Sequence, residues 1–179
     1  AFSTSEVNAS MGLICAAPTA GASGILPAAI ITGSEKIDAD ENSILRALLT
    51  SAAIGELITK NATVSGAEGG CQAETGTAAA MAAAALVELK GGTPEEALNA
   101  SSIALKNVLG LVCDPIAGLV ESPCAKRNAA GVANAMVSAD MSLAGVKSII
   151  PFDEMVETML RVGRSLPFAL KETALGGIA

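Results

Sequence analysis

Residues 75–90 carry the feature that most constrains the fold, because seven of the eight positions 78–85 are alanine. Alanine has the highest helix propensity of the natural residues, so this run predicts a helix. Such a helix has small apolar side chains on every face and no polar face to turn toward water, so it must be packed on most sides. The whole chain has three Phe and no Trp or Tyr, and we therefore expect closely packed helices.

Other parts of the chain also have helical patterns. Apolar residues recur at helical spacing across residues 40–60, with Asp40 or Asn42 as the N-cap. Thr93 begins the next predicted helix, with Pro94 at its first position and two acidic residues after it, and this helix is expected to reach about residue 109. Further helices are predicted at residues 25–33, 126–144 and 151–164, with a short one from residue 167 toward 177.

The segments between these helices are predicted to be loops, above all residues 61–70 and 113–124, which are rich in glycine or proline. No segment shows the alternation of β-branched and polar residues that is typical of strands. The predicted fold is therefore all-α, a compact, Ala-rich helical domain that spans residues 1–179 as one unit.

Charge and hydropathy exclude two classes of function. The formal net charge is −7 with no His, and such a surface repels the phosphate backbone of nucleic acids. The longest uncharged run, residues 7–34, is interrupted by Pro18, Pro27 and several glycines, so it does not predict a membrane-spanning helix. The first residues lack the basic and apolar regions of a signal peptide.

Three of the four cysteines share a setting that favours a metal site. Cys71 follows a pair of glycines, Cys113 precedes Asp114-Pro115, and Cys124 follows Pro123, so each is expected on irregular backbone at a helix end. A helix N-terminus favours the thiolate, which is the form that an iron–sulfur cluster requires. The plain alternative is that these are small buried apolar residues. Reduced thiols in a cytoplasmic protein fit a chain without a secretion signal better than disulfides do.

The spacing of the cysteines does not by itself decide which metal or cluster they bind. Neither Cys-x-x-Cys nor any His occurs, which disfavours a zinc ribbon or finger, although a zinc-stabilised helical interaction module is an alternative. Three cluster ligands would leave one iron open to act as a Lewis acid on a leaving hydroxyl. Four would favour a sensing or electron-transfer protein, but Cys15 lies in an apolar run and is predicted to be a packed small residue.

Four motifs, in order along nearly the whole chain, resemble the catalytic alpha chain of iron–sulfur-dependent L-serine dehydratases. They are Glu6-Val7-Asn8-Ala9-Ser10-Met11-Gly12, Ala17-Pro18-Thr19-Ala20-Gly21 with Gly24-Ile25-Leu26-Pro27, Gly69-Gly70-Cys71-Gln72-Ala73-Glu74, and Cys113-Asp114-Pro115 through Cys124-Ala125-Lys126-Arg127-Asn128. The segment 170–177 is similar to the closing helix of that family. The resemblance implies a 4Fe–4S cluster on Cys71, Cys113 and Cys124, and conversion of L-serine to pyruvate and ammonia without pyridoxal phosphate.

The resemblance also implies features outside this chain. A beta chain or fused beta domain is expected as a partner, in an oligomeric cytoplasmic enzyme. Members of the family usually carry a histidine-containing helical stretch ahead of the first motif and continue past Gly176-Gly177. We therefore expect this chain to be a fragment, with the general base supplied from outside it. A related dehydratase that acts on another small hydroxy acid is the alternative, and serine is not distinguished from threonine.

Individual roles follow from the motifs and the resemblance together. Glu74 and Lys126 are the predicted catalytic residues, Glu74 being expected to pair with Lys126 or Arg127. The glycine-rich segment 18–24 is expected to present N–H groups and hydroxyls to the substrate carboxylate. The predicted substrate-binding residues are Asn8, Ser10, Thr19, Ser23, Arg127 and Asn128. The plain alternatives are local caps and turns, a glycine-rich connection, a first-turn carboxylate and a solvated helix start.

Overall fold

The structure is a computed structural model that describes residues 1–119 and 121–178. Within these ranges the chain forms eight α-helices and one short 3₁₀ helix, at Phe168–Leu170. The helices are α1 (Phe2–Ala9), α2 (Ile25–Ile37), α3 (Glu41–Asn61), α4 (Gly66–Gly69), α5 (Cys71–Leu89), α6 (Pro94–Asn107), α7 (Glu121–Leu143) and α8 (Phe152–Ser165).

The alanine-rich helix α5 is the centre of the domain, as its composition predicts. Helices α2, α3, α6 and α7 pack around it, and the alanines of residues 78–85 are fully buried. The small side chains permit close backbone approach, so the hydroxyl of Ser101 on α6 donates to the carbonyl of Ala80 on α5 at 3.1 Å. On α7, a Cβ at Gly131 would lie 2.5 Å from the Ile25 side chain. The core is therefore held by close helix–helix packing and contains few large side chains.

The predicted helix starts are confirmed where they depend on local chemistry. The Asp40 carboxylate caps α3 by accepting from the Ser43 N–H at 2.7 Å. Thr93 and Glu96 form a reciprocal capping box at the start of α6, with Pro94 at the first helical position. Each cap satisfies backbone N–H groups that have no partner within the helix.

Several predicted boundaries are wrong, for reasons of packing. Gly33 does not end α2, which continues to Ile37 and stops where Asp38 takes a left-handed conformation. The glycine is there because a Cβ would lie 2.7 Å from the Leu86 side chain of α5. Helix α6 ends at Asn107 and not at residue 109. The predicted loop 61–70 contains the single turn of α4, and α1 was not predicted.

Two further corrections concern the start of α7 and the C-terminal segment. Helix α7 starts at Glu121 instead of residue 126, so Cys124 lies within its first turn, where Pro123 is tolerated. Residues 171–177 do not form the expected closing helix, because Glu172, Ala174 and Gly177 have positive φ angles that a right-handed helix excludes.

Across the described ranges the only β pairings are two isolated bridges, Cys113 with Lys171 and Ile116 with Leu119, so the all-α prediction is confirmed. None of the helices in those ranges has the length and apolar character that crossing a membrane would require.

The packing brings several chain segments to one end of the domain. Helix α7 runs parallel to α5, since Gly131 lies against Thr75 and Asp140 forms an ion pair with Lys90. Helix α6 runs antiparallel to α5, so its C-terminal end and the connection that follows lie beside the start of α5. The N-terminal ends of α5 and α7 and the segment around Cys113 therefore meet.

Candidate functional site

The three predicted cluster ligands lie at this end of the domain. Cys71 is the first residue of α5 and is 1% exposed, Cys113 is buried in the connection between α6 and α7, and Cys124 is half-buried in the first turn of α7. The charge of Cys71 acts on both Cys113 and Cys124, and Cys124 acts on Cys113, so each thiol lies within electrostatic reach of the others. Helix packing thus brings these three cysteines to the same end of the domain, although they are far apart in sequence.

The protonation of these thiols differs from the expectation. Burial raises the pKa of Cys71, against the opposing effects of its Thr75 contact at 3.2 Å and of Arg127. Burial, followed by repulsion from Cys71 and nearby carboxylates, raises the pKa of Cys113 to about 12 and that of Cys124 to about 12. These shifts run opposite to the expectation that helix ends favour the thiolates, because burial and negative neighbours disfavour the charged form.

Two glycines make room for the carboxylate of Glu74, which lies on the first turn of α5. A Cβ at Gly21 would lie 2.6 Å from Glu74 Oε1, and a Cβ at Gly66 would lie 3.0 Å from Glu74 Oε2 and 3.3 Å from Cys113 Sγ. Any side chain at either position would collide with this carboxylate or crowd this thiol. The two glycines thus form a cradle that the Glu74 carboxylate fills.

Glu74 has a partner that was not predicted. The hydroxyl of Thr19 donates to its carboxylate, so the expected pairing with Lys126 or Arg127 is wrong. Burial raises the pKa of Glu74, the Thr19 hydrogen bond opposes this shift, and the negative charge of Glu172 adds to it. A half-buried carboxyl with a raised pKa beside reactive groups is typical of an acid–base residue.

Arg127 is fixed beside the thiols by the connection that carries Cys113. Its Nη2 donates to Asp114 Oδ1 at 2.6 Å and its Nη1 donates to the Val112 carbonyl at 3.1 Å. The guanidinium charge lowers the pKa of Cys71 and Cys124 against the larger effect of burial. Asp114 is buried and its second oxygen accepts from the Ile178 N–H at 3.2 Å, so the cation is held by a partner that is itself anchored.

Asn128 anchors the glycine-rich segment 18–24 to α7. Its Nδ2 donates to the carbonyls of Gly21 and Cys124, each at 2.7 Å, and its Oδ1 accepts from the Gly24 N–H at 2.9 Å. The side chain is 1% exposed, so these bonds form in an interior where unmade ones would be costly. The structure thus uses Asn128 within the chain, and its role toward the substrate stays a prediction.

The remaining predicted substrate-binding hydroxyls and amides also have partners within the chain. The amide of Asn8 and the hydroxyl of Ser23 both donate to the Ala20 carbonyl, at 3.1 and 2.7 Å. The Ser10 hydroxyl donates to the Glu6 carbonyl within its own helix end and is exposed. Only Thr19 among these four points its hydroxyl at a predicted catalytic side chain.

Lys126 and Cys15 lie apart from the buried thiols. Lys126 is exposed and its ammonium donates to the Ser122 carbonyl at 3.3 Å, one turn earlier in the same helix. The prediction that Lys126 acts on the substrate stays a prediction. Cys15 is exposed and lines an apolar cleft with residues of α1 and α2, so the prediction of a packed small residue is wrong. The apolar run around Cys15 predicts burial, whereas the structure leaves the Cys15 side chain exposed.

A small cleft leads from the surface to the site. It has a volume of about 220 Å³ and its lining includes Asn8, Gly21 and Cys124. In the described part of the chain, no group of three or more Cys, Asp or Glu side chains is placed to hold a single metal ion.

Sequence reasoning missed three residues of the site. Gly66 belongs to a glycine-rich stretch, which is the only local signal for it. Asp114 stands beside a predicted ligand, but its pairing with Arg127 depends on the fold. Glu172 lies in the closing motif, and nothing local indicates that it approaches Gly66, where its Oε2 lies 3.7 Å from the position of a Cβ.

The family of the chain follows from comparison with known proteins. The model of the serine dehydratase alpha chain family matches residues 1–179. The chain belongs to this family. It is 64% identical over 179 residues to the L-serine dehydratase alpha chain of Peptoniphilus asaccharolyticus, and 54% identical to the probable L-serine dehydratase alpha chain of Bacillus subtilis. It is 42% identical over 181 residues to L-serine dehydratase 2 of Escherichia coli.

These matches cover the whole of this chain but only part of each relative. The covered share is 61% and 60% of the two alpha chains and 40% of the Escherichia coli protein. The family that the four motifs indicated is therefore confirmed.

Proposed function

We propose that this serine dehydratase alpha chain carries the catalytic centre of an L-serine dehydratase that depends on a 4Fe–4S cluster held by Cys71, Cys113 and Cys124. The observation that carries the proposal is that the three thiols lie within electrostatic reach of one another, with Cys113 beside the glycine-cradled carboxylate of Glu74. The relatives named L-serine dehydratase support the reaction and the substrate.

The donor set fits an iron–sulfur cluster. Thiolates are the soft ligands that such clusters require, and a cationic group among the three would offset the repulsion between their ionised forms. The absence of a Cβ at Gly66 lets Cys113 Sγ and the Glu74 carboxylate lie close to the backbone at this point. When bound, a cluster with three protein ligands supplies an open iron that serves as a Lewis acid for the β-hydroxyl of serine.

Elimination of water from serine also needs a group that takes the Cα proton. The resemblance led us to expect this base outside the chain, but the half-buried carboxylate of Glu74 lies beside Cys113, and we assign the role to it. As a carboxylate it accepts the proton while the β-hydroxyl leaves with the Cβ–O bonding electrons, and the proton then returns to the departing oxygen to form water. The enamine product hydrolyses to pyruvate and ammonia. Burial raises the pKa of Glu74 and so strengthens it as a base, and Thr19 orients the carboxylate.

The substrate carboxylate needs a cation and N–H donors. Arg127 offers a fixed guanidinium beside Cys71, and the segment 18–24, anchored by Asn128, offers a rigid backbone. We propose that Asn8 lines the route by which the substrate enters, since Asn8 and Gly21 border the cleft at Cys124. Thr19, Ser23, Ser10 and Lys126 remain proposed to assist the binding of the substrate. Hydrogen bonding to an anion is strongest where the donor carries charge.

We also propose a beta partner and a reducing location. The relatives named alpha chain imply a beta chain, and the longer Escherichia coli relative leaves room for a fused beta domain. The resulting enzyme would be an oligomer in the cytoplasm, where cluster thiols remain reduced.

The decisive experiment is anaerobic purification of the complete protein, followed by iron and sulfide analysis and a pyruvate assay with L-serine. We expect about four irons per chain of this family and pyruvate formation that air abolishes. L-threonine and a small hydroxy acid such as glycerate serve as competing substrates. A colourless zinc protein would contradict the cluster, and a brown protein without elimination activity would favour the sensing or electron-transfer alternative.

Replacing Lys126 with alanine tests its role separately from that of the cluster. We expect KM for L-serine to rise about threefold to tenfold, with unchanged iron content, because an exposed cation contributes only a screened charge. Lys60→Ala, which removes an exposed lysine of α3, is the matched control. Loss of iron in Lys126→Ala would show a structural role and contradict the assignment.

A further inference from the structure

The C-terminal segment, residues 170–178, packs on the connection that carries Cys113. The Cys113 N–H donates to the Leu170 carbonyl at 2.9 Å, and the Glu172 N–H donates to the Cys113 carbonyl at 2.8 Å. Cys113 lies between α6 and α7, outside both helices, so neither helix fixes its backbone. The C-terminal segment bonds both of its backbone groups and so holds this predicted cluster ligand in place.

The same segment closes on Asp114, the residue that follows Cys113. The Ile178 N–H donates to Asp114 Oδ2 at 3.2 Å. Gly177 has a φ of 76°, and a Cβ on it would lie 2.5 Å from Asp114 Cβ and 2.6 Å from Asp114 Oδ2. Glycine is required here for the backbone conformation and for the close approach. Asp114 is 5% exposed as a result of this packing and of its contact with α7.

The other oxygen of Asp114 holds the cation of the site. Oδ1 accepts from Arg127 Nη2 at 2.6 Å, and Arg127 Nη1 donates to the Val112 carbonyl at 3.1 Å. The guanidinium is a rigid fork, so two bonds to the connection on either side of Cys113 fix its direction. Burial raises the pKa of Cys71, and the charge of Arg127 opposes this shift, so the fixed cation acts on the thiol of α5.

We propose that Asp114 is a positioning residue of the cluster site, which the C-terminal segment encloses and which holds the Arg127 guanidinium beside Cys71. The inference rests on the proposed function, because three thiolates and their cluster bring negative charge into a buried region. Such a charge is costly unless a cation is held next to it. Asp114 keeps the cation there, and the C-terminal segment keeps Asp114 away from water, where its ion pair would be weaker.

The first test replaces Asp114 with asparagine. Asparagine keeps the shape and can still accept from the Ile178 N–H through its amide oxygen, but it lacks the charge that holds Arg127. Asp140→Asn is the matched control, since it removes the ion pair with Lys90 further along the same helix.

A second pair of variants acts on Asp114 from outside. Gly177→Ala places a methyl group against Asp114, whereas Gly91→Ala introduces the same strain at a φ of 74° with no atom within 4 Å of the new Cβ. Comparing the two separates the contact with Asp114 from the backbone strain.

The measurement is the rate at which an iron chelator removes iron from the complete, anaerobically loaded protein, followed by visible absorption. Residues that support metal ligands contribute about 10- to 100-fold to metal affinity, so Asp114→Asn and Gly177→Ala should accelerate iron loss by that factor. Asp140→Asn and Gly91→Ala should stay within about twofold of wild type. In an Arg127→Gln background, Asp114→Asn should change the rate by less than about twofold, because Asp114 acts through Arg127.

The outcomes separate this inference from the proposed function. A wild-type rate in Asp114→Asn, or an undiminished effect of Asp114→Asn in the Arg127→Gln background, would overturn the positioning role and leave the cluster intact. A folded wild type that takes up no cluster would overturn the proposed function and this inference with it. Circular dichroism checks the fold, and if Asp114→Asn does not fold, equal iron-loss rates in Gly177→Ala and Gly91→Ala would refute the role.

Discussion

Single replacement of Cys71, Cys113 or Cys124 by serine should remove the cluster and reduce pyruvate formation by more than about 100-fold. Changing a residue that merely supports a metal ligand costs about 10- to 100-fold in metal affinity or activity, so the loss of a ligand should exceed that range. Serine nearly preserves the size of cysteine and lacks its soft donor atom, so it isolates the ligand role. The measurements are iron, sulfide and visible absorption after anaerobic reconstitution, followed by activity.

Cys15→Ser is the internal control for these variants. Cys15 is exposed and lines a separate apolar cleft, so this variant should keep its iron and its activity. Buried Cys71 and Cys113 also contribute to packing, and circular dichroism must show that their serine variants remain folded. Full cluster occupancy in any of the three variants, or cluster loss in a folded Cys15→Ser, would refute the ligand set.

Replacing Glu74 with glutamine should lower kcat about 10²- to 10⁴-fold, which is the range that a general acid–base residue contributes. Glutamine keeps the shape and can still accept from the Thr19 hydroxyl, but it cannot take a proton from Cα. Iron content and the cluster spectrum should stay unchanged, because the three thiols are untouched. The measurement is the steady-state rate of pyruvate formation at saturating L-serine.

The same helix offers a matched control for this substitution. Glu88 also lies on α5, is also half-buried and also accepts from a threonine, Thr50, at 3.3 Å, but it lies on the last turn of the helix. Glu88→Gln should therefore leave kcat within about twofold of wild type, since it alters a contact far from the chemistry. An equal loss of activity in both variants would assign the effect of Glu74→Gln to helix packing and not to proton transfer.

The amino-acid sequence was sufficient to predict the features that depend only on residues close together in the chain. The alanine run dictates a buried helix whatever surrounds it, because no face of it can be turned to water without loss. The capping residues Asp40 and Thr93 bond to N–H groups three residues away, so their roles are local. Gly70 and Pro123 mark the N-terminal ends of α5 and α7, where Cys71 and Cys124 lie within the first turns, whereas Cys113 lies in the connection after α6 and not at the expected helix end.

Other features depend on tertiary contacts and were mispredicted or missed. Gly33 has the sequence signature of a helix end, yet it serves the contact with Leu86 that only packing creates. The thiols were expected to ionise easily, but burial and their mutual repulsion act in the opposite direction. Glu74 was assigned a cationic partner by proximity in the motifs, and the fold instead brings Thr19 to it across 55 residues.

Sequence alone therefore determined the all-α class and the central helix, since each follows from side-chain chemistry acting over one or two helical turns. The assignment of Cys71, Cys113 and Cys124 as cluster ligands stays a prediction. The tertiary structure decided the surroundings of those thiols. The pairing of Arg127 with Asp114, the cradle of Gly21 and Gly66, and the approach of Glu172 all join segments that are distant in the chain. Contacts of this kind arise only when helices pack, because electrostatic and steric effects depend on distance in space and not on separation along the chain.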